Sequence, residues 1–399
     1  MNKLILKYFV LVFSLGVIFN CHNSLLLADG GMIPIWPQNV SLWESDQNAI
    51  AAWNGTEEIL MLSTNARSSA ASTTVLRIIP LASNPSKVEL GTLDAFNKLR
   101  DLMNAKIQPM RKDEGGLQNF AMSAAAPSAP AEITFQEVIG PHDITVVKVN
   151  DVDGFLNLPL ITALGINKEQ ITPDFRTALN NYMLRDIKYF SFDKITVGTV
   201  DKSVEPIIYR FASNYFFYPI KITASSIAAI TNQGGSDQIH LFAITKNPII
   251  DTAGVFNERY MYWRRNPSLS FTSSELNQVA PAFSELFTVG GYVTEFGYRG
   301  QLANTKNDII MYSTDLWKNN FRIGTQGADV LALQKMLINE ELWNSNVPAS
   351  GYFGPTTFNA VIRFQEKYSS KILVPLNLTS GTGFVGPFTR GFLAKFQLQ

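Results

Sequence analysis

NAIAAWNGTEEILMLST, residues 48–64, sets the class of the large N-terminal part of this chain. Asn54-Gly55 falls between two apolar-rich runs, the strongest short-range signal for a β-hairpin. Downstream, STTVLRIIPL (residues 72–81) continues in strand composition, and Pro80, lacking an N–H for the ladder, is expected to end that strand or place it at an edge. Phe96, Leu99 and Met103 then recur with the spacing of one buried helix face, predicting a helix over 92–104. Residues 105–132 turn polar, small and proline-broken (RKDEGG, AMSAAAPSAPAE), which predicts an exposed loop.

Beyond the loop come EITFQEVIG, ITVVKV, YFSFDKITVGTV, PIIYRFA, FFYPIKIT, QIHLFAIT, FTVGGYVTEFGY and DIIMYST. Most are dense in β-branched and aromatic residues, with short helices expected at 155–164 and 173–186. The expected class is α+β, β-dominated, over residues 29–316.

At 399 residues the chain exceeds one ordinary core, and its 46% hydrophobic content supplies enough apolar material for two. Lys plus Arg (33) balance Asp plus Glu (33), so no basic field gathers phosphates, and nucleic acid is not an expected partner. Lys3 and Lys7, the apolar run Tyr8–Phe19 and Leu26-Leu27-Ala28 form the layout of a secretory signal peptide, residues 1–28, with cleavage after Ala28. The run is shorter than the roughly 20 residues of a spanning helix, so no transmembrane helix is expected in the mature chain. Cys21 is the only cysteine. A lipoprotein would acylate it, but Phe19-Asn20 stand where that chemistry takes small residues, and Cys21 reads as part of the signal segment.

The C-terminal residues 324–399, after a linker at 317–323, carry a short internal repeat: Gly351-Tyr352-Phe353-Gly354-Pro355-Thr356-Thr357 and Gly383-Phe384-Val385-Gly386-Pro387-Phe388-Thr389. In each copy Gly-x-x-Gly supplies a turn and Pro opens a helix. Val330, Leu333 and Leu337, then Val361, Phe364 and Tyr368, and finally Phe392 with Phe396 mark three amphipathic helices.

This module resembles the peptidoglycan-binding type 1 family through Gly324, Gly327, Asp329-Val330, Leu333-Gln334, Gly351, Phe353-Gly354, Thr357, Ala360-Val361 and Phe364-Gln365. The resemblance implies a compact three-helix fold that holds bacterial cell wall. SSKILVPLNLTSGTG, residues 369–383, departs from the shortest family members as an insert. Phe353, Phe364 and Tyr368 lie on the apolar stripe and read as core. Trp343 and Tyr352 lie off it and are candidate faces for a sugar or stem peptide. Gln334 and Gln365 are candidate ligand contacts, with internal bridging as the other reading. Asp329 suits a helix first turn.

Residues 29 to about 316 resemble the secreted bacterial domain-of-unknown-function family 2330, through Asp29-Gly30-Gly31, the NAIAAWNGTEEILML hairpin, VIGPHDITVVKV and YRFASNYFFYPIKIT. That resemblance implies export and no particular activity.

The chemistry common in wall enzymes finds little footing. Cys21 in a signal segment cannot be a nucleophile. After the signal only His142 and His240 remain, far apart and without HExxH, so no metal or other cofactor is expected. Ser191-Phe192-Asp193-Lys194 matches SxxK but lies in a strand-like run without KTG, and Glu44-Ser45 precedes a hairpin rather than lying in a helical bundle. The leading expectation is an exported envelope protein that binds peptidoglycan through its C-terminal module and presents a non-catalytic binding or scaffolding domain. The alternatives are a wall-modifying hydrolase with an unfamiliar site, which clustered carboxylates in a deep cleft would favour, and a module turned to a protein partner.

Overall fold

The computed structural model describes residues 31–37, 40–107, 129–225, 237–251, 263–300, 307–394 and 396–398. The segment read as a signal peptide, with Cys21, and residues 108–128 of the expected loop lie outside the described residues.

Along the chain come β1 (Gly31–Trp36), β2 (Leu42–Trp53), β3 (Glu57–Ser68), β4 (Thr73–Leu81), β5 (Pro85–Leu90) and helix α1 (Asp94–Lys106). Then follow β6 (Ala131–Ile139), β7 (His142–Val149), α2 (Val152–Leu156), α3 (Pro159–Ala163), α4 (Pro173–Leu184), β8 (Tyr189–Val197), β9 (Lys202–Ser203), β10 (Ile207–Ala212), β11 (Phe216–Tyr218) and α5 (Lys221–Ser225). The third stretch holds β12 (Asp237–Thr245), β13 (Ile249–Asp251), β14 (Trp263–Arg265), β15 (Leu269–Phe271), α6 (Ser273–Val279), α7 (Pro281–Leu286), β16 (Gly291–Gly300) and β17 (Ile309–Met311). The C-terminal part contributes α8 (Ala328–Asn339), α9 (Pro355–Lys367), α10 (Ser369–Ile372), α11 (Pro387–Leu393) and β18 (Phe396–Leu398). The fold is α+β, β-rich first and helical last, as the sequence patterns imply.

The hairpin β2–β3 forms as read. The Asn54 side chain accepts from the N–H groups of Thr56 and Glu57, and Gly55 takes φ +104°. It lies in the middle of a sheet ordered β14-β16-β12-β2-β3-β10-β5, while a second sheet runs β1-β4-β8-β7-β6. Strand alternation sends Ala49, Ala51, Leu60 and Leu62 into one core shared with the second sheet, and Ile50, Ala52, Ile59 and Met61 into another under α1, α6 and α7. Burial on both faces explains why the two runs are apolar nearly throughout.

Four local expectations are corrected. The strand β4 continues through Pro80 and lies between β1 and β8 rather than at an edge. Among the described residues the pairing with β1 runs as far as Gly31 opposite Ile78, and Pro80 lies opposite Phe190 of β8. The helix expected at 155–164 is split into α2 and α3, because Leu158 precedes Pro159 and adopts an extended conformation (ψ 149°). FFYPIKIT ends as strand at Tyr218, and its Lys221-Ile222-Thr223 begins α5. In FTVGGYVTEFGY, strand begins only at Gly291: Gly290 has φ +91°, and a Cβ there would meet the Phe271 carbonyl oxygen at 2.3 Å.

Candidate binding site

The helix α8 begins just after Gly327, whose φ is +134°. Its Gln334 is buried, and all of its hydrogen-bonding reach goes to the turn that follows. Nε2 donates to the Tyr352 carbonyl and the Thr357 hydroxyl, both at 2.8 Å. Oε1 accepts from Ser350 N and Gly351 N, again at 2.8 Å. Gln365 on α9 repeats the device one module later, donating to the Phe384 carbonyl (2.8 Å) and Thr389 hydroxyl (3.0 Å) and accepting from Thr382 N (2.7 Å) and Gly383 N (3.0 Å). The internal repeat is therefore a repeated bracket in which a helix glutamine holds the next Gly-x-x-Gly-Pro turn. Neither amide is left for a ligand, so both glutamines serve as internal bridges.

Gly351, with φ +76°, brings the turn against the start of α8. Its carbonyl accepts from Gly327 N at 3.0 Å, and a Cβ on Gly351 would lie 3.2 Å from the Gly327 oxygen. Between these backbones opens a cleft of about 240 Å³, lined by Gln326, Gly327, Ala328, Leu331, Ser350, Gly351 and Tyr352. Tyr352 is 46% exposed, and its ring lies over bare Gly354, where a Cβ would come within 3.3 Å. In the second copy Phe384 lies over Gly386 in the same way and, with Phe388, is well exposed.

Trp343 is half-buried against the core, and its Nε1 donates to the Val347 carbonyl at 2.9 Å. It props the 345–348 loop and does not line the cleft at Tyr352. Phe353, Phe364 and Tyr368 are buried, as their place on the apolar stripe implies. In the insert, residues 369–376 fold into α10 and a 3₁₀ turn whose Ile372 and Leu373 join the core.

The helical part is bolted to the β-rich part. Residues 317–323 bury Trp317 and Phe321, continuing an edge-packed aromatic row through Tyr215 and Tyr312. At the end of α4, Arg185 pairs with Asp308 at 2.6 Å, both fully buried. Burial opposes the charge on Arg185, but Asp308 more than offsets it and holds the guanidinium above its usual pKa. Asn339 of α8 accepts from Arg185 and from Asp308 N, both at 3.1 Å, and donates to the Asp308 carbonyl at 2.9 Å. Asn181 donates to the Ile338 carbonyl, Lys221 pairs with Glu341, Ala349 N donates to the Leu184 carbonyl, and β18 pairs with β13. None of these polar contacts is periodic in sequence, and only the buried charge itself could have hinted at them.

A second and larger cleft, about 680 Å³, opens beside this junction. Asn150, Asp151, Asp153, Asn180, Met183, Asp186 and Lys188 line it from the β-rich side, and Asn346, Pro348 and Ala349 from the helical side. Its carboxylates are already engaged. Asp151 caps α2, Asp153 pairs with Arg176, and Asp186 pairs with Lys188 at 2.6 Å.

The residues weighed for catalysis are dispersed. Ser191 lies in β8 and hydrogen-bonds the Tyr209 hydroxyl at 2.9 Å, while Asp193 of the same strand binds Arg77 and His142 in the core. His142 is a buried residue of β7. Its Nδ1 faces Asp193 and its Nε2 faces the Glu205 carbonyl at 2.8 Å, so neither ring nitrogen is open to a substrate or metal. His240 on β12 lies 3.7 Å from Glu295. Glu44 and Ser45 lie in β2 at a bulge. Among the described residues no group of three or more His, Cys, Asp or Glu is placed to hold a metal, and no helix is long and apolar enough to cross a membrane.

The family model "Uncharacterized protein conserved in bacteria (DUF2330)" matches residues 28–262, more than half of the chain. The chain belongs to this family. In this DUF2330 protein the model "Putative peptidoglycan binding domain" also matches residues 326–371, spanning both Gln334 and Gln365 and every residue that lines the cleft at Tyr352. No curated protein matches the chain. Among solved structures, baculovirus P35 aligns with 59% of this chain and 77% of its own at 10% identity and a TM-score of 0.30. The caspase-8/P35 complex gives 57%, 74%, 10% and 0.30. Likenesses at that TM-score carry no weight for fold or function.

Proposed function

We propose that this DUF2330 protein is exported, with residues 1–28 as its signal peptide, and that residues 324–399 hold it to peptidoglycan. Residues 29–316 then act as a non-catalytic binding or scaffolding domain carried to the wall. The observation that carries the reading is the glutamine-bracketed turn that presents exposed Tyr352 over a rigid cleft, inside the segment matching the peptidoglycan-binding model. A preset aromatic face beside backbone polar groups suits a sugar or a stem peptide, because little is left to order on binding. Trp343 supports the neighbouring loop in this scheme.

A wall-modifying hydrolase is the second reading, favoured by the three aspartates of the 680 Å³ cleft. Their engagement in a helix cap and two ion pairs supports a binding role for that cleft instead. The test is co-sedimentation of the chain lacking residues 1–28 with purified sacculi. The parent chain should pellet, and Tyr352→Ala should weaken binding by about tenfold, as the loss of one aromatic platform predicts. A folded chain that stays in the supernatant would overturn the proposal and leave a protein partner as the better ligand.

A further inference from the structure

The two clefts share one ridge. Asn346, Pro348 and Ala349 line the larger, and Ser350, Gly351 and Tyr352 line the smaller, so the clefts meet at consecutive residues. The ridge is held from three directions. Trp343 binds the Val347 carbonyl, Ala349 N donates to Leu184 at 2.9 Å, and Gln334 holds Ser350 and Gly351.

The far wall of that cleft belongs to the β-rich part. Asn180 on α4 and Asn346 on the ridge are both exposed, and among the described residues neither side-chain amide has a hydrogen-bond partner. Each offers two donors and an acceptor. The carboxylates around them are tied into a cap and ion pairs, and Met183, Val152 and Pro348 add apolar surface. Free amides beside small apolar faces, in a space within the roughly 300–1,000 Å³ of small-ligand sites, suit a neutral hydroxyl-rich chain better than a metal ion or an anion.

We infer that the second cleft is a glycan subsite continuous with the cleft at Tyr352, so that the β-rich domain contacts the wall polymer itself, through Asn180, rather than being merely carried to it. This rests on the wall-binding reading above and adds the ligand's polymeric nature and the second domain's part in holding it. It also requires that the helical module stay docked, because Asn346 and Asn180 line one cleft across the junction that Arg185, Asp308 and Asn339 hold.

The experiment is calorimetric titration of the chain lacking residues 1–28 with peptide-free glycan fragments of wall, a disaccharide and an octasaccharide. The octasaccharide should bind about tenfold more tightly, the gain expected of two added amide contacts. The double variant Asn180→Ala/Asn346→Ala should lose that gain while its disaccharide affinity stays within about twofold and its melting temperature is unchanged, both residues being exposed. Affinity independent of length, or a length dependence that survives in the double variant, overturns the second subsite. If Tyr352→Ala still weakens sacculus binding in either case, the wall-binding reading stands without it. Failure of both fragments and sacculi to bind the folded chain removes both.

Discussion

Replacing Asn339 by Ala tests whether the helical module is part of one cooperative unit with the β-rich domain. Across the junction Asn339 accepts from Arg185 Nη1 and Asp308 N at 3.1 Å and donates to the Asp308 carbonyl at 2.9 Å. At about 0.5–1.5 kcal/mol net for each of these hydrogen bonds, with the bond from charged Arg185 toward the upper end, their loss amounts to about 2–4 kcal/mol. That is a large share of the roughly 5–15 kcal/mol that holds a domain folded. The assay is urea unfolding followed by tryptophan fluorescence, which Trp317 and Trp343 report near the module and Trp43 and Trp53 report in the central sheet. A double-mutant cycle with Arg185→Met should show a coupling above about 1 kcal/mol, since the two side chains touch. A loss below about 0.5 kcal/mol for Asn339→Ala, additive with Arg185→Met, would refute the docked junction and make the module a loosely hung tether.

Three other outcomes follow from buried polar groups. Gln334→Ala removes four hydrogen bonds from the turn at 350–357 and should lower stability by about 2–4 kcal/mol, and sacculus binding should fall with it as Tyr352 loses its seat. Thermal unfolding and co-sedimentation check this, and unchanged values in both would contradict the bracket. Gln47 on β2 is buried and, among the described residues, neither of its amide atoms is hydrogen-bonded, and the hydroxyl of Thr64 opposite it is likewise unpartnered there. Gln47→Met should therefore raise stability by about 1–3 kcal/mol in urea, and a loss would point to a partner for the amide. Glu58 is buried with one carboxylate oxygen on Phe217 N (2.8 Å), and burial, only partly countered by that N–H, pushes its pKa well above the usual range. The folded state then holds a proton that the unfolded chain releases near pH ~4.3, so this group's contribution is full below that pH and declines as pH rises toward the raised value. Glu58→Gln should remove that decline, so the variant should gain on the parent between pH 5 and pH 8 in denaturation curves. Parallel pH profiles would refute it.

Local chemistry was legible in the chain. Asn54-Gly55 between two apolar runs specified the central hairpin, since the turn needs a residue free to take positive φ and the runs need burial. Phe96, Leu99 and Met103 specified the buried face of α1, and the doubled Gly-x-x-Gly-Pro turn specified the module, because periodicity and turn chemistry act over a few residues. Where a neighbour distant in sequence decided the outcome, sequence reading failed. Pro80 sits inside a strand because β8, more than a hundred residues further on, pairs with β4 from Thr73 to Leu81. Leu158, by contrast, breaks its helix for a local reason, the Pro159 that follows it.

The candidate site divides in the same way. Tyr352 could be read as an exposed aromatic because it falls off its helix stripe, whereas the internal role of Gln334 and Gln365 depends on turns 16–24 residues away. The sequence by itself determined the hairpin, the helix faces and the repeated turns, because each depends on backbone preference and side-chain spacing within one element. Only the tertiary structure decided that Arg185, Asp308 and Asn339 lock two parts of the chain together, and that Asn180 and Asn346 face one cleft. Arg185 lies more than a hundred residues from Asp308 and Asn339, as Asn180 does from Asn346, and polar contacts of that range leave no periodicity to read.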